Sequence, residues 1–300
     1  MTLTELRYLV ALAESGHFRK AAEQCSVSQP TLSIAIKKLE AELGVCLFER
    51  ARHKVAATPT GELIVEQART VLRETQNLRL LAEQGKDPMG SMLSVGAIYT
   101  VGPYLFPRLV SRLQQLAPNI QLLIEESYTA SLRVKLSNGE LDAIFVALPF
   151  TETDIVTRTL FDESFVVLLP QDHPLTEHSH INASSLAKHS VLLMGEGHCF
   201  RDQVLEACPG LQRAIREKYA QGHTVVEGGS LETLKHMVAS GLGITVLPES
   251  AANEAIYGNN VLAVRPFESP APCRSIALAW RVSYPRPEAI DILIDALRPQ

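Results

Sequence analysis

The sequence predicts a mixed fold, in which a helical region at the N-terminus is followed by a larger α/β region. Up to residue 85, apolar residues recur at helical spacing and almost no segment has the pattern of a strand. After residue 92, strand-like runs such as 93–98 alternate with helix-like runs such as 231–240. A chain of 300 residues, 46% of them hydrophobic, is also long enough to form at least two cores.

The composition excludes several classes of protein. No apolar run approaches the roughly 20 residues of a membrane-spanning helix, and Glu5, Arg7 and Glu14 interrupt any N-terminal export signal. We therefore expect a cytoplasmic protein without membrane contact, whose five cysteines are reduced rather than joined in structural disulfides. The net charge is −5, but residues 1–60 carry eight Lys and Arg against six Asp and Glu. Any contact with nucleic acid is therefore expected in that segment.

The helical region divides at its caps and glycines. Two short helices flank Ser15 and Gly16, and a third begins after the natural N-cap Ser28, with Pro30 in its first turn and Gly44 as its stop. Each helix has an apolar face that predicts a core: Leu6, Leu9, Val10 and Ala13 in the first, Phe18, Ala21, Ala22 and Cys25 in the second, and Leu32, Ile36, Leu39 and Leu43 in the third.

Residues 45–61 have a short, extended pattern with basic residues at the centre, which predicts a wing. Residues 62–84 then have the apolar stripe of one long helix, a pattern typical of a helix that pairs with a second subunit, and residues 85–90 end it. The expected domains are therefore 1–61, a linker helix and hinge at 62–90, and an α/β domain at 91–300.

Two helices joined by a short turn follow the plan of a helix-turn-helix, in which the second helix enters the major groove of DNA by its N-terminal end. The face of the third predicted helix opposite its core has hydroxyl, amide and lysine groups that suit base edges and phosphates. An ordinary three-helix domain with a solvated face explains the same spacing equally well. On the first interpretation, the DNA-contacting residues are Ser28, Gln29, Pro30, Thr31, Ser33, Ile34 and Lys37, with Arg50 and Arg52 in the wing.

The strand candidates of the α/β region fit two small sheets better than one. They are residues 93–98, 122–126, 143–148, 165–169, 191–194, 224–227, 244–247, 261–264 and 276–280.

Cys199 and Cys208 lie at the two ends of a segment with a helical pattern. Phe200, Val204 and Cys208 repeat every four residues, so Cys208 lies on the apolar face of such a helix. Cys199 lies near the helix N-terminus beside His198, surroundings that favour a reactive thiolate. Nine residues of helix rise about 13.5 Å, whereas the Cα atoms of a disulfide lie within roughly 7 Å. A disulfide would therefore exclude the helix and make a two-state switch. Two unrelated core cysteines are the alternative, which the residues alone favour.

The first 61 residues contain a series of motifs: Phe18-x-x-Ala21-Ala22, Ser28-Gln29-Pro30-Thr31-Leu32-Ser33, Ile36, Leu39-Glu40, Leu43-Gly44, Leu47-Phe48-x-Arg50 and Thr58-x-x-Gly61. This series resembles the winged helix-turn-helix of LysR-type transcriptional regulators, which bind promoter DNA. The resemblance implies a linker helix that pairs two subunits, and an effector domain like a periplasmic binding protein. Subdomain I would comprise 91–162 and 269–300, and subdomain II would comprise 163–268, with chain crossings near 161–164 and 267–273. It also favours a dimer of dimers that acts with RNA polymerase.

Residues 195–208 are similar to the redox segment of the hydrogen-peroxide sensors among these regulators, and the similarity extends over nearly the whole chain. It implies that peroxide oxidises Cys199 to a sulfenic acid, that Cys208 converts this acid to a disulfide, and that a thiol reductant restores both thiols. The predicted function is thus an activator of oxidative-stress genes rather than an enzyme.

The same resemblance, in residues 96–100 and 125–129, implies that Thr100 and Thr129 bind peroxide. Helix capping is the alternative role for both threonines. The resemblance further implies that His198 and Asp202 organise proton transfers and that Arg274 stabilises the departing hydroxide. Cys273, beside Arg274, departs from the family pattern and has no assigned role.

The remaining titratable residues predict neither a metal nor an organic cofactor, because no Cys-x-x-Cys or His-Glu-x-x-His occurs. Cys25 and Cys46 are expected to pack as small apolar residues. Two alternative functions are a LysR-type regulator that responds to a small metabolite and a thiol peroxidase.

Overall fold

The computed structural model describes residues 1–50, 55–84, 92–208, 210–214, 227–252 and 261–298. The chain divides into two compact units. The N-terminal unit comprises Met1–Pro88 with Ser137–Glu140, and the C-terminal unit comprises Met89–Leu136 with Leu141–Gln300. The first is helical with a small two-stranded sheet and the second is α/β, so the predicted fold class is confirmed. Within the described ranges, no helix is both long and apolar enough to span a bilayer.

The N-terminal unit begins with three helices: α1 (Leu3–Ser15), α2 (Phe18–Gln24) and α3 (Gln29–Leu43). Their ends lie where the local signals predict them. Ser28 accepts a hydrogen bond from the Thr31 amide at the start of α3, and Gly44 ends that helix with a left-handed φ of 70°. Leu32, Ile36 and Leu39 are buried in the core, as predicted. The prediction that Leu43 joins them is wrong, because Leu43 lies in the last turn and is 37% exposed.

The wing consists of β1 (Phe48–Arg50) and β2 (Val55–Ala57), which pair antiparallel. The long helix α4 follows at Pro59–Gln84, three residues earlier than the predicted start. It begins there because the Thr58 hydroxyl accepts a hydrogen bond from the Gly61 amide at 2.9 Å, and because proline is tolerated in the first turn. Gly61 cannot carry a side chain, since a Cβ would lie 2.1 Å from the Leu47 carbonyl oxygen.

The C-terminal unit alternates strands and helices along the chain. The strands are β3 (Met92–Ile98), β4 (Gln121–Ser127), β5 (Ala143–Ala147), β6 (Ile155–Pro170), β7 (Val191–Met194), β8 (Glu227–Gly228), β9 (Ile244–Pro248), β10 (Leu262–Pro266) and β11 (Cys273–Arg281). The helices are α5 (Gly102–Leu116), α6 (Thr129–Ser137), α7 (Cys199–Ala207), α8 (Leu231–Ala239) and α9 (Pro287–Leu297), and residues 210–214 are also helical.

The two predicted sheets correspond to two groups of strands that one shared strand joins into a single series. The described strands form one nine-stranded series in the order β4-β3-β5-β11-β6-β9-β7-β8, with β10 also paired to β6. The cause is the 16-residue strand β6, which pairs with β11 up to Ser164 and with β9 and β10 from Phe165 onward. The sequence predicted only residues 165–169 as a strand, because the first half of β6 is largely exposed and has no apolar pattern. Of the predicted strand at 224–227, residues 224–226 lie outside the described residues.

Candidate functional site

Helix α7 places its two cysteines in opposite environments. Cys199 is the first residue of the helix and is half-buried, so its thiol lies at the positive end of the helix dipole. Cys208 lies just after the last turn and is 1% exposed, within the apolar cluster that also contains Phe200 and Val204. Burial raises the pKa of the Cys208 thiol to about 11. Both cysteines are free thiols, and nine residues of helix separate them by about 13.5 Å.

A small cavity lies beside the Cys199 thiol. Nine residues line it: Ile98, Tyr99, Thr100, Ser127, Tyr128, Thr129, Gly197, His198 and Cys199. The space open to the centre of a water-sized molecule is about 10 Å³, enough for roughly one molecule of that size. The ends of β3 and β4 and the start of α7 thus bring together four of the residues predicted to act on peroxide, Thr100, Thr129, His198 and Cys199.

The two threonines have different hydrogen-bond environments. The Thr100 hydroxyl accepts a hydrogen bond from Arg274 at 2.8 Å. The Thr129 hydroxyl oxygen is buried and has no hydrogen-bond partner among the described residues. An unpaired buried hydroxyl is costly, so it is available to a small polar ligand in the cavity.

Arg274 is 3% exposed and is held by two neighbours. Its guanidinium donates to the Thr100 hydroxyl and carbonyl, and its Nε donates to the Glu163 carboxylate at 2.9 Å. A second guanidinium nitrogen lies 2.8 Å from the same Glu163 oxygen. It also lies 5.1 Å from the centre of the Phe200 ring. Burial lowers the pKa of Arg274, while the charges of Glu163 and of a Cys199 thiolate favour its charged form. Arg274 therefore presents a fixed positive charge to the Thr100 side of the cavity.

His198 lines the cavity and packs against two aromatic rings that also line it. Its ring centre is 4.7 Å from that of Tyr128 and 5.8 Å from that of Tyr99. His198 is 6% exposed, and burial lowers its pKa, so the imidazole is neutral at pH 7. A neutral imidazole can accept one proton and donate another.

Asp202 does not join this group. It lies in the first turn of α7, but its side chain is exposed and is not among the cavity-lining residues. Its predicted part in proton transfer therefore has no direct contact with the cavity in this structure.

Three residues of the site have no role in the sequence prediction. Tyr99 and Tyr128 directly precede the two threonines, and this adjacency was the available signal. Glu163 gave no signal, because it meets Arg274 only through the register of β6 against β11.

The predicted DNA-binding face of α3 is open in the N-terminal unit. Ser33 is half-buried and the others on the helix are exposed: Ser28, Gln29, Pro30, Thr31, Ile34 and Lys37. Lys38 on the same side donates to Glu5 at 2.9 Å, so it is partly engaged within the unit. Arg50 belongs to β1, but its side chain lies outside the described residues, as does the whole of Arg52.

The other cysteines differ in exposure. Cys25 packs against the N-terminal core, as predicted. The prediction of apolar packing for Cys46 is wrong: Cys46 is exposed, and its thiol donates to the Phe48 carbonyl at 3.3 Å. Cys273 is also exposed. In the described part of the chain, no group of three or more His, Cys, Asp or Glu side chains has the geometry of a metal site.

A three-helix unit followed by a two-stranded wing, and an α/β unit with a small cavity, together define a class of transcriptional regulator. Residues 3–62 match the bacterial regulatory helix-turn-helix protein, lysR family, and residues 86–300 match the LysR substrate binding domain. The chain belongs to the LysR family of transcriptional regulators.

The most similar relatives and solved structures found belong to one group within this family. The chain is 40% identical over 298 residues to the DNA-binding transcriptional dual regulator OxyR of Escherichia coli, covering 99% of this chain and 95% of the relative. It is similar to a full-length OxyR variant from Pseudomonas aeruginosa, with 55% identity, a TM-score of 0.74 and coverage of 99% and 95%. It is also similar to a hydrogen-peroxide-bound cysteine mutant of Corynebacterium glutamicum OxyR, with 32% identity, a TM-score of 0.63 and coverage of 99% and 91%.

Proposed function

We propose that this protein is a DNA-binding regulator that senses hydrogen peroxide through Cys199 and Cys208 and thereby controls oxidative-stress genes. One observation carries the proposal: a thiol at a helix N-terminus faces a water-sized cavity with an unpaired buried hydroxyl, while a second thiol is buried at the other end of the same helix. The names of the relatives, OxyR and hydrogen peroxide-inducible genes activator, support it.

In the first step, the Cys199 thiolate attacks one oxygen of hydrogen peroxide. An S–O bond forms as the O–O bond breaks, which gives a sulfenic acid and a hydroxide ion that takes up a proton to become water. Thr100 and Thr129 hold the peroxide, His198 moves the proton, and Arg274 stabilises the negative charge on the departing oxygen. Asp202, which is exposed in this structure, would act on the proton transfer only from outside the cavity.

In the second step, the Cys208 thiol displaces the sulfenic hydroxyl, so that a disulfide forms and water leaves. Its sulfur cannot reach Cys199 while α7 is intact, because the helix rises about 13.5 Å between them and a disulfide spans roughly 7 Å. The reaction therefore requires α7 to unwind and Cys208 to leave the apolar cluster. A thiol reductant reverses both changes and restores the helix.

The output of the switch is a change in promoter binding. We assign DNA contact to the α3 face that begins at Ser28 and to the wing residues Arg50 and Arg52. A cytoplasmic homo-oligomer that acts with RNA polymerase fits this role. In it, α4 pairs two subunits, and two such dimers form a dimer of dimers. Within it we assign 1–61 to DNA binding, 62–90 to the linker, and the subdomains 91–162 with 269–300 and 163–268 to redox sensing.

Thiol counting on the full chain tests the proposal. Limiting hydrogen peroxide should remove two thiols from the wild type and none from Cys199→Ser. Cys208→Ser should stop at a sulfenic acid that a 1,3-diketone traps. Cys273→Ser is the matched control, since Cys273 is exposed and lies outside the cavity lining, and it should lose two thiols like the wild type.

Two results would contradict the proposal. One is an unchanged thiol count in the wild type, and the other is a loss of two thiols in Cys199→Ser. Rapid, DNA-independent turnover of peroxide with a thiol reductant would instead identify a thiol peroxidase.

A further inference from the structure

Tyr104 on α5 and Glu232 on α8 form a hydrogen bond between two helices that are distant in sequence, and we refer to this bond as the Tyr104–Glu232 tie. The Tyr104 hydroxyl donates to a Glu232 carboxylate oxygen at 2.9 Å, and the Lys235 ammonium donates to the same oxygen at 2.6 Å. Lys235 is 2% exposed, and its ammonium lies 5.2 Å from the centre of the Tyr104 ring. The three groups connect α5 directly to α8.

The protonation states of the two groups favour this hydrogen bond. Burial, together with the nearby Glu232 charge, raises the pKa of Tyr104, so the phenol stays protonated and donates. Partial burial acts to raise the pKa of Glu232, but the hydrogen bonds from Lys235 and Tyr104 outweigh it and lower this pKa. A phenol therefore donates to an ionised carboxylate, and hydrogen bonds to charged groups are stronger than those between neutral groups.

At one end, the Tyr104–Glu232 tie holds the turn that carries Thr100. This turn lies between β3 and α5. Within it, the Val101 amide donates to the Ile98 carbonyl at 2.8 Å, and the Tyr104 amide donates to the Val101 carbonyl at 3.2 Å. A displacement of the first turn of α5 therefore displaces Thr100 as well.

At the other end, the tie holds the elements that support Cys199. Helix α8 packs directly on β8, since a Cβ on Gly228 would lie 2.7 Å from the Leu234 side chain. Glu227 of the same strand accepts a hydrogen bond at 2.6 Å from Arg201, in the first turn of α7. Through these contacts, α8 is connected to the turn of α7 that begins with Cys199.

The tie thus links two sides of the cavity. Thr100 lines one side and Cys199 lines the other, whereas Tyr104 and Glu232 lie outside the cavity lining. Arg274 holds the Thr100 hydroxyl from β11, and the tie holds the turn beneath this hydroxyl from α8. The separation of two reacting groups matters for rate, because a misplacement of about 1 Å can cost roughly a hundredfold.

We propose that Tyr104 and Glu232 are positioning residues for the oxidation of Cys199, because their hydrogen bond sets the distance between the Thr100 hydroxyl and the Cys199 thiolate. The inference rests on the proposed function, in which Thr100 holds the peroxide that Cys199 attacks. Neither residue touches the peroxide in this role, and both act through Thr100.

Two reagents that react with the same thiol test the proposal on the full chain. Loss of the free Cys199 thiol is followed by mass spectrometry with hydrogen peroxide, which Thr100 holds, and with iodoacetamide. The thiolate displaces iodide from iodoacetamide, so an S–C bond forms without help from the threonine. Tyr104→Phe removes one hydroxyl and keeps the ring. It should slow oxidation by about tenfold or more, the factor that one hydrogen bond to a charged group represents, and leave the iodoacetamide rate unchanged.

The matched control is Tyr284→Phe. Tyr284 is 6% exposed, its ring lies 5.7 Å from the Arg281 guanidinium, and it lies outside the cavity lining. This variant should keep the wild-type rate with both reagents.

A double-mutant cycle tests whether Tyr104 acts through Thr100. Thr100→Val removes the hydroxyl that the tie positions. In that background, Tyr104→Phe should slow oxidation by no more than about twofold, the scatter of such cycles. Should Tyr104→Phe lack native circular dichroism, the combined variant Glu232→Leu with Lys235→Met replaces it, with the same expected results. This variant removes the acceptor together with the buried charge that it neutralises.

Three results would overturn the inference: an unchanged oxidation rate in Tyr104→Phe, equal slowing with both reagents, or a further tenfold slowing in the Thr100→Val background. Each of them leaves peroxide sensing intact as long as the wild type is oxidised at Cys199. If hydrogen peroxide does not oxidise Cys199 in the wild type, the proposed function fails, and this inference fails with it.

Discussion

Removing the charge of Glu163 should strongly destabilise the C-terminal unit. Glu163 is 7% exposed and forms an ion pair with Arg274, which is 3% exposed. Its carboxylate accepts one hydrogen bond from the Arg274 Nε and one from the Ser250 amide. In Glu163→Gln the shape of the side chain is retained, but the guanidinium loses its counter-charge. Breaking a buried ion pair by removing one partner costs about 3–5 kcal/mol, because the remaining charge stays buried without compensation.

The control is an exposed ion pair of the same two residue types. Arg133 and Glu152 lie 3.2 Å apart with side chains that are 49% and 30% exposed. Glu152→Gln should cost about 0–1 kcal/mol, as surface salt bridges do.

The fluorescence of Trp280 allows unfolding of the C-terminal unit to be followed by itself. Trp280 is the single tryptophan of the chain and lies in β11, the strand that also carries Arg274, so its fluorescence reports on this unit. Urea unfolding followed by that fluorescence gives the change in free energy of unfolding for each variant. If Glu163→Gln lowers the free energy of unfolding no more than Glu152→Gln does, the argument that Arg274 depends on Glu163 is refuted.

Two further predictions concern the other parts of the molecule. Lys37→Ala should weaken DNA binding and reduce the slope of log affinity against log salt by about 1, as measured by fluorescence anisotropy on a promoter fragment. The control is Lys188→Ala, which removes a basic residue of the C-terminal unit. An unchanged slope in Lys37→Ala would contradict the assignment of DNA contact to α3. Burial raises the pKa of Cys208 to about 11 from a usual value of 9.0, so as the pH rises this thiol ionises in the unfolded chain before it ionises in the folded one. The stability that Cys208 contributes is therefore complete below pH 9.0 and is lost as the pH rises through about 11. The reduced wild type should therefore lose more stability over that interval than Cys208→Ala, as measured by urea unfolding at each pH, and parallel curves for the two proteins would show that the thiol is not buried in solution.

Much of the N-terminal unit is predictable because its signals are local. Ser28, Pro30 and Gly44 act within one turn of the helix that they begin or end, so the limits of α3 follow directly from the sequence. Helix α4 was predicted to begin three residues late, because the capping bond from Gly61 to Thr58 is not visible in an apolar pattern. The exposure of Leu43 and Cys46 depends on what surrounds them, which periodicity does not report.

The C-terminal unit is less predictable because its decisive contacts are distant in sequence. Arg274 meets Thr100 and Glu163 across 174 and 111 residues, and neither pairing has a local signature. The joining of the strands into one series likewise depends on the exposed first half of β6. The positions of Cys199 and Cys208 at the two ends of one helix were predictable, because the repeat of Phe200, Val204 and Cys208 predicts a helix between them.

The position of Phe200 links the state of α7 to the strand that unites the sheet. Its ring packs edge-on against Phe165, 5.1 Å away, at the point where β6 exchanges one set of neighbours for another. The same ring also lies 5.1 Å from the Arg274 guanidinium. Any uncoiling of α7 would withdraw this ring and leave both groups facing an empty volume. The backbone at that junction would then have to rearrange to fill the space, so a change that begins at the Cys199 sulfur is passed to the 16-residue strand β6.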